Sequence, residues 1–306
     1  MGKIAFVFSG QGAQYPGMGK SLYACSAAAR SVFDQAEAIR EGIKSLCFSG
    51  SPEDLKRTDN TQPCLYCVDL AAAAALREAG VPCDMAAGFS LGELAALSFC
   101  GAVSPADGFR MVLRRGALMQ EASEAAGSAM AAVQKLPNQT VEALCARYQA
   151  IYPSNYNCPG QLVVAGGRSE IRPFLKEVRE AGGRGVLLPV SGGFHSPFMA
   201  DAAKQFASSL SEFAIGAPSI PLFSNYTAQP YDGDPKELLA RQIENPVRWQ
   251  ETIEHMIARG ADTFIEVGPG KTLQGLISRI SDKVTAYHAE DEETLSSTIQ
   301  AVKEHA

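Results

Sequence analysis

Residues 84–97, DMAAGFSLGELAAL, place a short apolar run, a turn of small residues and an apolar helical stretch end to end. Strand, turn and helix around a G-x-S-x-G form the setting of a nucleophile elbow on an α/β sheet. Gly88 and Gly92 let the chain close tightly around Ser90, and the N–H of Leu91, at the positive end of the following helix, is placed to meet a developing oxyanion. A free serine hydroxyl is a weak nucleophile near neutral pH. Its neighbour is Phe89, which is no base, so the proton acceptor must come from elsewhere in the chain.

Outward from the elbow the α/β pattern persists. Residues 4–8 are apolar throughout, as a central parallel strand covered on both faces should be. Helical segments at 31–39, 65–78 and 91–99 alternate with short apolar runs, and a helix over 105–122 opens with Ser104 as cap, Pro105 in the first turn and Asp107 three residues after the cap. The rhythm changes from 128 to 190. There AMAAVQ, NQTVEALCARY, AIYPSNYN, QLVVAGG, RSEIRPFLKEVREAG and GVLLPVS read β-α-β-β-α-β, the order of a ferredoxin-like unit. The larger pattern then resumes with IPLFSN, two helices around Pro246, the strand TFIEVG, a helix from 272, the strand VTAYHA and a closing helix. An α/β core over 1–126 and 192–306, interrupted by a small unit over 127–191, is expected.

Composition narrows the function. With 306 residues, 46% apolar, 20% charged and a net charge of −6, the chain is ordinary globular material without the basic face of a nucleic-acid binder. The N-terminal apolar run is short and ends in Gly and Gln, so it reads as a strand and not a signal peptide; Phe6 stands where myristoylation wants Ser or Thr. No run approaches the ~20 apolar residues of a membrane span. A soluble cytoplasmic protein is expected, without membrane or nucleic-acid partners. Of eight cysteines only Cys64 and Cys67 form a C-x-x-C, and they open an Ala-rich helix in which Cys is a small apolar side chain. No metal site is expected. GMGKS at 17–21 and GPGKT at 268–272 resemble phosphate loops, but Gln14 and Ile265 stand where the first Gly belongs. GQGAQYPG fails as a dinucleotide fingerprint at Tyr15. These loops do follow strands, where open α/β sheets build ligand sites.

Four histidines can be weighed as the base. His305 is next to the last residue, His255 lies in the amphipathic WQETIEHMIARG, and His288 ends a short strand. His195 sits in VSGGFHSPFM, a Gly-bounded loop that can face a cleft. A mid-chain histidine with no obvious carboxylate departs from the usual hydrolase order, so a Ser90–His195 dyad is expected, with the imidazole held by a backbone carbonyl or an amide side chain. SGQGAQ after the first strand is placed to supply the N–H of Gln11 as a second oxyanion donor. In RMVLRRGALMQ the apolar stripe centres on Phe109, Val112, Leu113 and Gly116; Arg115 and Met119 share one edge of it while Arg114 points to solvent. Arg115 therefore wants an anion, either a protein carboxylate or a substrate carboxylate.

GQGAQ, GFSLGE, RRGALMQ, NYNCPGQ, GGFHSPFM, ENPVRW and EVGPGKTL, in this order over nearly the whole chain, resemble the malonyl-CoA:acyl carrier protein transacylases, the acyltransferase family of fatty-acid and polyketide synthesis. The resemblance implies an α/β-hydrolase-like core with a parallel sheet and a ferredoxin-like insertion. Ser90 would attack the thioester of malonyl-CoA; His195 would take its proton and later activate the phosphopantetheine thiol of the acyl carrier protein. Gln11 and Leu91 would bind the oxyanion, Arg115 the malonyl carboxylate with Met119 beside it, and the main-chain carbonyl of Gln242 would hold the imidazole. Asn155 and Asn157 would line the pantetheine entrance, and Arg184 would meet the acidic carrier. No bound cofactor and a monomer are implied. Phe89 departs from the family, many members of which carry His there, which bears on acyl selectivity. Phe194 resembles malonyl-selecting members, its ring crowding α-branched acyl groups. A discrete acyltransferase of polyketide synthesis, a serine thioesterase or esterase, and a non-catalytic carrier-docking module are the alternatives.

Overall fold

The burial of every residue from Ile4 to Phe8 marks the first strand as the centre of its sheet, a computed structural model describing residues 2–190 and 192–305. The described strands are β1 (Lys3–Phe8), β2 (Met85–Gly88), β3 (Ser128–Gln134), β4 (Ile151–Cys158), β5 (Gln161–Gly167), β6 (Arg184–Leu187), β7 (Leu222–Phe223), β8 (Ala261–Val267) and β9 (Thr285–Ala289). One sheet runs β7-β2-β1-β8-β9, all parallel. Phe8 stands opposite both Gly88 and Val267, so the loops after β1, β2 and β8 leave the carboxyl edge level with one another. This edge is where an open parallel sheet builds its site.

Alternation along β1 feeds two cores. Phe6 and Phe8 stack on Phe99, with ring centroids 5.4 and 5.5 Å apart, while Ala5 and Val7 face Phe223, Trp249 and Phe264. Each buried aromatic contributes about 1.5–3 kcal/mol by leaving water. The second sheet is antiparallel in the order β4-β5-β3-β6. One face packs Val133, Leu162 and Val164 against Phe174 and Val178 of the helix Ile171–Glu180. The other turns Met130, Ala132, Val163 and Ala165 into the main core, so the two sheets share apolar surface.

Several helices differ from the sequence reading. The one expected over 65–78 spans Thr58–Glu78, with Pro63 inside. Proline has no N–H to give the carbonyl of Asp59, and the Arg40 guanidinium donates to that oxygen instead at 3.1 Å. Helices Lys20–Cys25 and Ile43–Ser49 were not anticipated, because each starts after a left-handed glycine, Gly19 at φ 76° and Gly42 at φ 85°, without a side-chain cap to signal it. The helix Ala200–Ser209 carries the chain away from the His195 loop. The helix expected over 105–122 runs Pro105–Ala125, and the Ser104 side chain accepts from the Asp107 N–H. Cys64 and Cys67 are buried free thiols of Thr58–Glu78. Among the described residues, no helix is long and apolar enough to cross a membrane, and no cluster of three or more His, Cys, Asp or Glu stands at metal-holding distance.

Candidate active site

Tight packing creates the elbow. A Cβ on Gly88 would lie 1.9 Å from the Gly92 carbonyl carbon, and one on Gly92 would lie 2.3 Å from the Phe8 carbonyl oxygen. Only hydrogen fits at either position, so the chain turns between β2 and the helix Gly92–Phe99 with Ser90 at φ 54°. That left-handed backbone is costly for a residue with a side chain. It is held from both sides: the Ser90 N–H donates to Asn225 Oδ1 at 2.7 Å, and the Ser90 carbonyl accepts from Gln242 Nε2 at 2.8 Å.

Ser90 Oγ lies 2.7 Å from His195 Nε2, although 105 residues separate the two in sequence. His195 Nδ1 lies 2.8 Å from the Gln242 carbonyl oxygen. A carbonyl can only accept, so the Nδ1 proton is placed there and Nε2 is left to accept from the serine. Burial and then the charge of Arg115 lower the His195 pKa to about 4. The imidazole is therefore neutral at physiological pH, the state a base requires. Of the two holders left open by the sequence, the backbone carbonyl is the one in contact. His255 is engaged elsewhere, with Nδ1 2.8 Å from the Ala228 carbonyl. His288 faces Glu290 at 3.9 Å.

Arg115 is completely buried, as its place on the helix edge implied, while Arg114 is exposed. Its Nη2 donates to Ser90 Oγ at 3.2 Å and to Gln242 Oε1 at 2.8 Å, and Nη1 donates to Gln62 Oε1 at 2.8 Å. No protein carboxylate among the described residues forms a salt bridge with it, and its Nε has no partner. Burial lowers its pKa to about 10, so it stays a cation.

A cavity of about 220 Å³ opens beside the dyad. Gln11, Phe89, Met119, Asn155, Asn157 and Phe194 all line it together with Ser90 and His195. The Phe89 ring packs edge-on against Trp249 at 5.3 Å and gives the cavity an apolar wall beside Ser90. Among the described residues, the N–H groups of Gln11 and Leu91 have no hydrogen-bond acceptor.

The acyl transferase domain family matches residues 5–301. The chain belongs to this family. A malonyl CoA-acyl carrier protein transacylase of Bacillus subtilis is 38% identical to it over 99% of this chain and 98% of its own. A solved malonyl CoA-acyl carrier protein transacylase of Clostridium perfringens superposes with a TM-score of 0.96 at 35% identity, covering 99% of this chain and 98% of that one. A malonyl-transacylase solved in complex with a type II PKS acyl-carrier protein gives a TM-score of 0.94 at 32% identity, over 98% and 99% of the two chains.

Within this acyltransferase, four sequence candidates stand outside the cavity wall: Leu91, Arg115 and Gln242 are buried around Ser90, and Arg184 lies apart from them. It is exposed on β6 opposite Gln134, and the chain that follows brings Leu188 and Val190 to the cavity. The sequence reading missed the residues that hold the site together: Gln62 against Arg115, Glu93 against Gln242, Asn225 against Ser90, and Ser128 and Ser154 against the His195 loop. Glu93 is fully buried, accepts from Tyr231, Asn225 and Gln242, and is raised by burial to about 7. Its signal was a lone carboxylate in the otherwise apolar GELAALSF. Asn225 follows β7, at the carboxyl end of a strand like Gln11 after β1 and Ser90 after β2. Ser154 on β4 donates to the Phe194 carbonyl at 2.8 Å, tying the His195 loop to the antiparallel sheet, and nothing in its neighbourhood marks it. Glu266, also held near 7 by burial, lines the cavity and accepts from the Gln274 N–H at 2.7 Å.

Proposed function

We propose that this acyltransferase moves malonyl from malonyl-CoA to the phosphopantetheine thiol of an acyl carrier protein by a ping-pong mechanism through a Ser90 acyl-enzyme. The observation that carries the malonyl reading is the buried guanidinium of Arg115, in salt bridge with no carboxylate among the described residues and 3.2 Å from Ser90 Oγ. A cation kept unneutralised beside a nucleophile suits an acyl group bearing its own carboxylate. Ser90 Oγ attacks the thioester carbonyl as its proton passes to His195 Nε2, and the oxyanion is met by the N–H groups of Gln11 and Leu91. The C–S bond breaks and the thiol leaves with the proton from His195. The carrier thiol then gives its proton to His195 and attacks the acyl-serine; the ester C–O bond breaks and Ser90 Oγ leaves with that proton. Thioester exchange is nearly isoergic, so the site mainly supplies oxyanion stabilisation, one donor being worth about a hundred- to a thousand-fold in rate. Nucleophile, base and donors all come from the chain, and the reading needs no cofactor.

Asn155 and Asn157 line the pantetheine path in this reading, Phe194 crowds α-branched acyl groups, and Arg184 meets the acidic carrier. The core is α/β-hydrolase-like, and residues 127–191 form a ferredoxin-like insertion; the β4-β5-β3-β6 order and its separate core support this. The protein acts as a cytoplasmic monomer, without membrane or nucleic acid. Brief mixing with malonyl-CoA followed by intact-mass measurement is expected to show a malonyl adduct that Ser90→Ala lacks. Free malonate without an adduct would identify a hydrolase instead. Arg115→Ala is expected to lower malonyl transfer about ten- to a hundred-fold more than acetyl transfer, the equivalent of about 1.5–3 kcal/mol of charge-assisted pairing.

A further inference from the structure

Glu93 lies in the first turn of the helix after the nucleophile, where its side chain is inaccessible to solvent and to the cavity. Its Oε2 accepts from the Asn225 N–H at 3.0 Å and from Gln242 Nε2 at 2.7 Å, and Oε1 accepts from the Tyr231 hydroxyl. Gln242 Nε2 also donates to the Ser90 carbonyl at 2.8 Å. Both amide hydrogens of Gln242 are thus spent on oxygens, which turns its Oε1 the other way, onto Arg115 Nη2 at 2.8 Å. The second holder of the guanidinium, Gln62, is also an amide, and its own nitrogen rests on the Met119 sulfur at 3.3 Å. An amide oxygen holds a guanidinium in place without cancelling its charge, as a carboxylate in the same position would.

We propose that Glu93 is a specificity-determining positioning residue: by accepting from Gln242 Nε2 it fixes that amide with its oxygen toward Arg115, so the guanidinium is held beside Ser90 by neutral groups and its charge is left for the acyl carboxylate. This inference rests on reading Arg115 as the partner of that carboxylate. It explains why an acid is buried one side chain away from the cation and is not placed in contact with it. The acid supplies the orientation, and the intervening glutamine keeps the carboxylate out of contact with the cation. Contact between Glu93 and substrate is not required, which separates this role from catalysis.

Exchanging the two groups tests it with little change of shape. In Glu93→Gln the oxygen that accepts from Gln242 and Asn225 is retained, so the ratio of malonyl to acetyl transfer (kcat/KM) is expected to stay within about threefold of the unmodified protein or to rise. In the double variant Glu93→Gln/Gln242→Glu the carboxylate sits directly against Arg115, and the ratio is expected to fall at least about tenfold, acetyl transfer losing less than malonyl. Thermal melting and mass detection of the Ser90 adduct accompany both. A fall in the ratio in Glu93→Gln, or a double variant that keeps its malonyl preference, overturns the role of Glu93 alone. Absence of malonyl preference in the unmodified protein overturns the malonyl reading, and this inference with it.

Discussion

Ser90 and His195 both hold positive φ, 54° and 57°, although neither is glycine. Such backbone costs on the order of 1–3 kcal/mol per residue and persists only where neighbours over-determine it. Here the neighbours are Asn225 and Gln242, which grip the two peptide groups of Ser90, and the Gln242 carbonyl, which orients the imidazole. Titration of His195 has a definite sign. Its folded pKa of about 4 lies below the ordinary 6.5, so the unfolded chain takes up the proton first. The contribution of this group to stability is present above about 6.5 and is lost as pH falls through about 4. The acid limb of kcat/KM for Ser90 acylation is accordingly expected well below the usual histidine range, near 4, in stopped-flow measurements of the free enzyme. An acid limb at an ordinary histidine pKa would contradict this environment.

The elbow joins two elements with no space to spare. Backbone atoms, not flexible side chains, would meet a Cβ at Gly92, so the strain cannot be relieved by a rotamer change. Gly92→Ala is expected to cost at least about 1–3 kcal/mol, read as a lower denaturation midpoint, and to abolish the Ser90 adduct. Ser104→Ala should behave differently. It removes the cap of the helix that carries Arg115, but Arg115 lies about three turns inside, so about 1 kcal/mol of stability is lost while the malonyl-to-acetyl ratio is unchanged. Comparing the two melting curves with the two activity ratios separates a helix that delivers a side chain from a turn that shapes the nucleophile.

Across the whole molecule, the antiparallel sheet does more than cover the core. Met130 and Val163 from its inner face line the cavity, and Ser128 and Ser154 tie down the His195 loop through the Gly193 N–H and the Phe194 carbonyl, each at 2.8 Å. The antiparallel sheet thus fixes the backbone of the loop that carries the base, while the imidazole itself is held by the Gln242 carbonyl. Ser154→Ala, worth about 1 kcal/mol of hydrogen bonding, is expected to lower kcat about fivefold with KM for malonyl-CoA unchanged, since Ser154 lies behind the loop and outside the cavity wall. A rise in KM alone would place Ser154 in substrate binding.

The sequence by itself determined the α/β alternation, the β-α-β-β-α-β order of residues 128–190 and the elbow around Ser90. These follow from local periodicity and from glycines whose replacement the backbone cannot accommodate. It also indicated Arg115 through helical spacing, and His195 through elimination among four histidines. The Gln242 carbonyl was named as the holder of the imidazole by resemblance alone, and the two are in contact at 2.8 Å; only the tertiary structure decided that two glutamine oxygens hold the guanidinium without neutralising it, and that Glu93 and Asn225 stand behind the nucleophile. Those contacts join residues as far apart as 152 positions, as between Ser90 and Gln242, and no local pattern of side chains carries the direction in which a buried amide faces. That direction is set by which neighbours can donate and which can only accept once the sheets have brought them together.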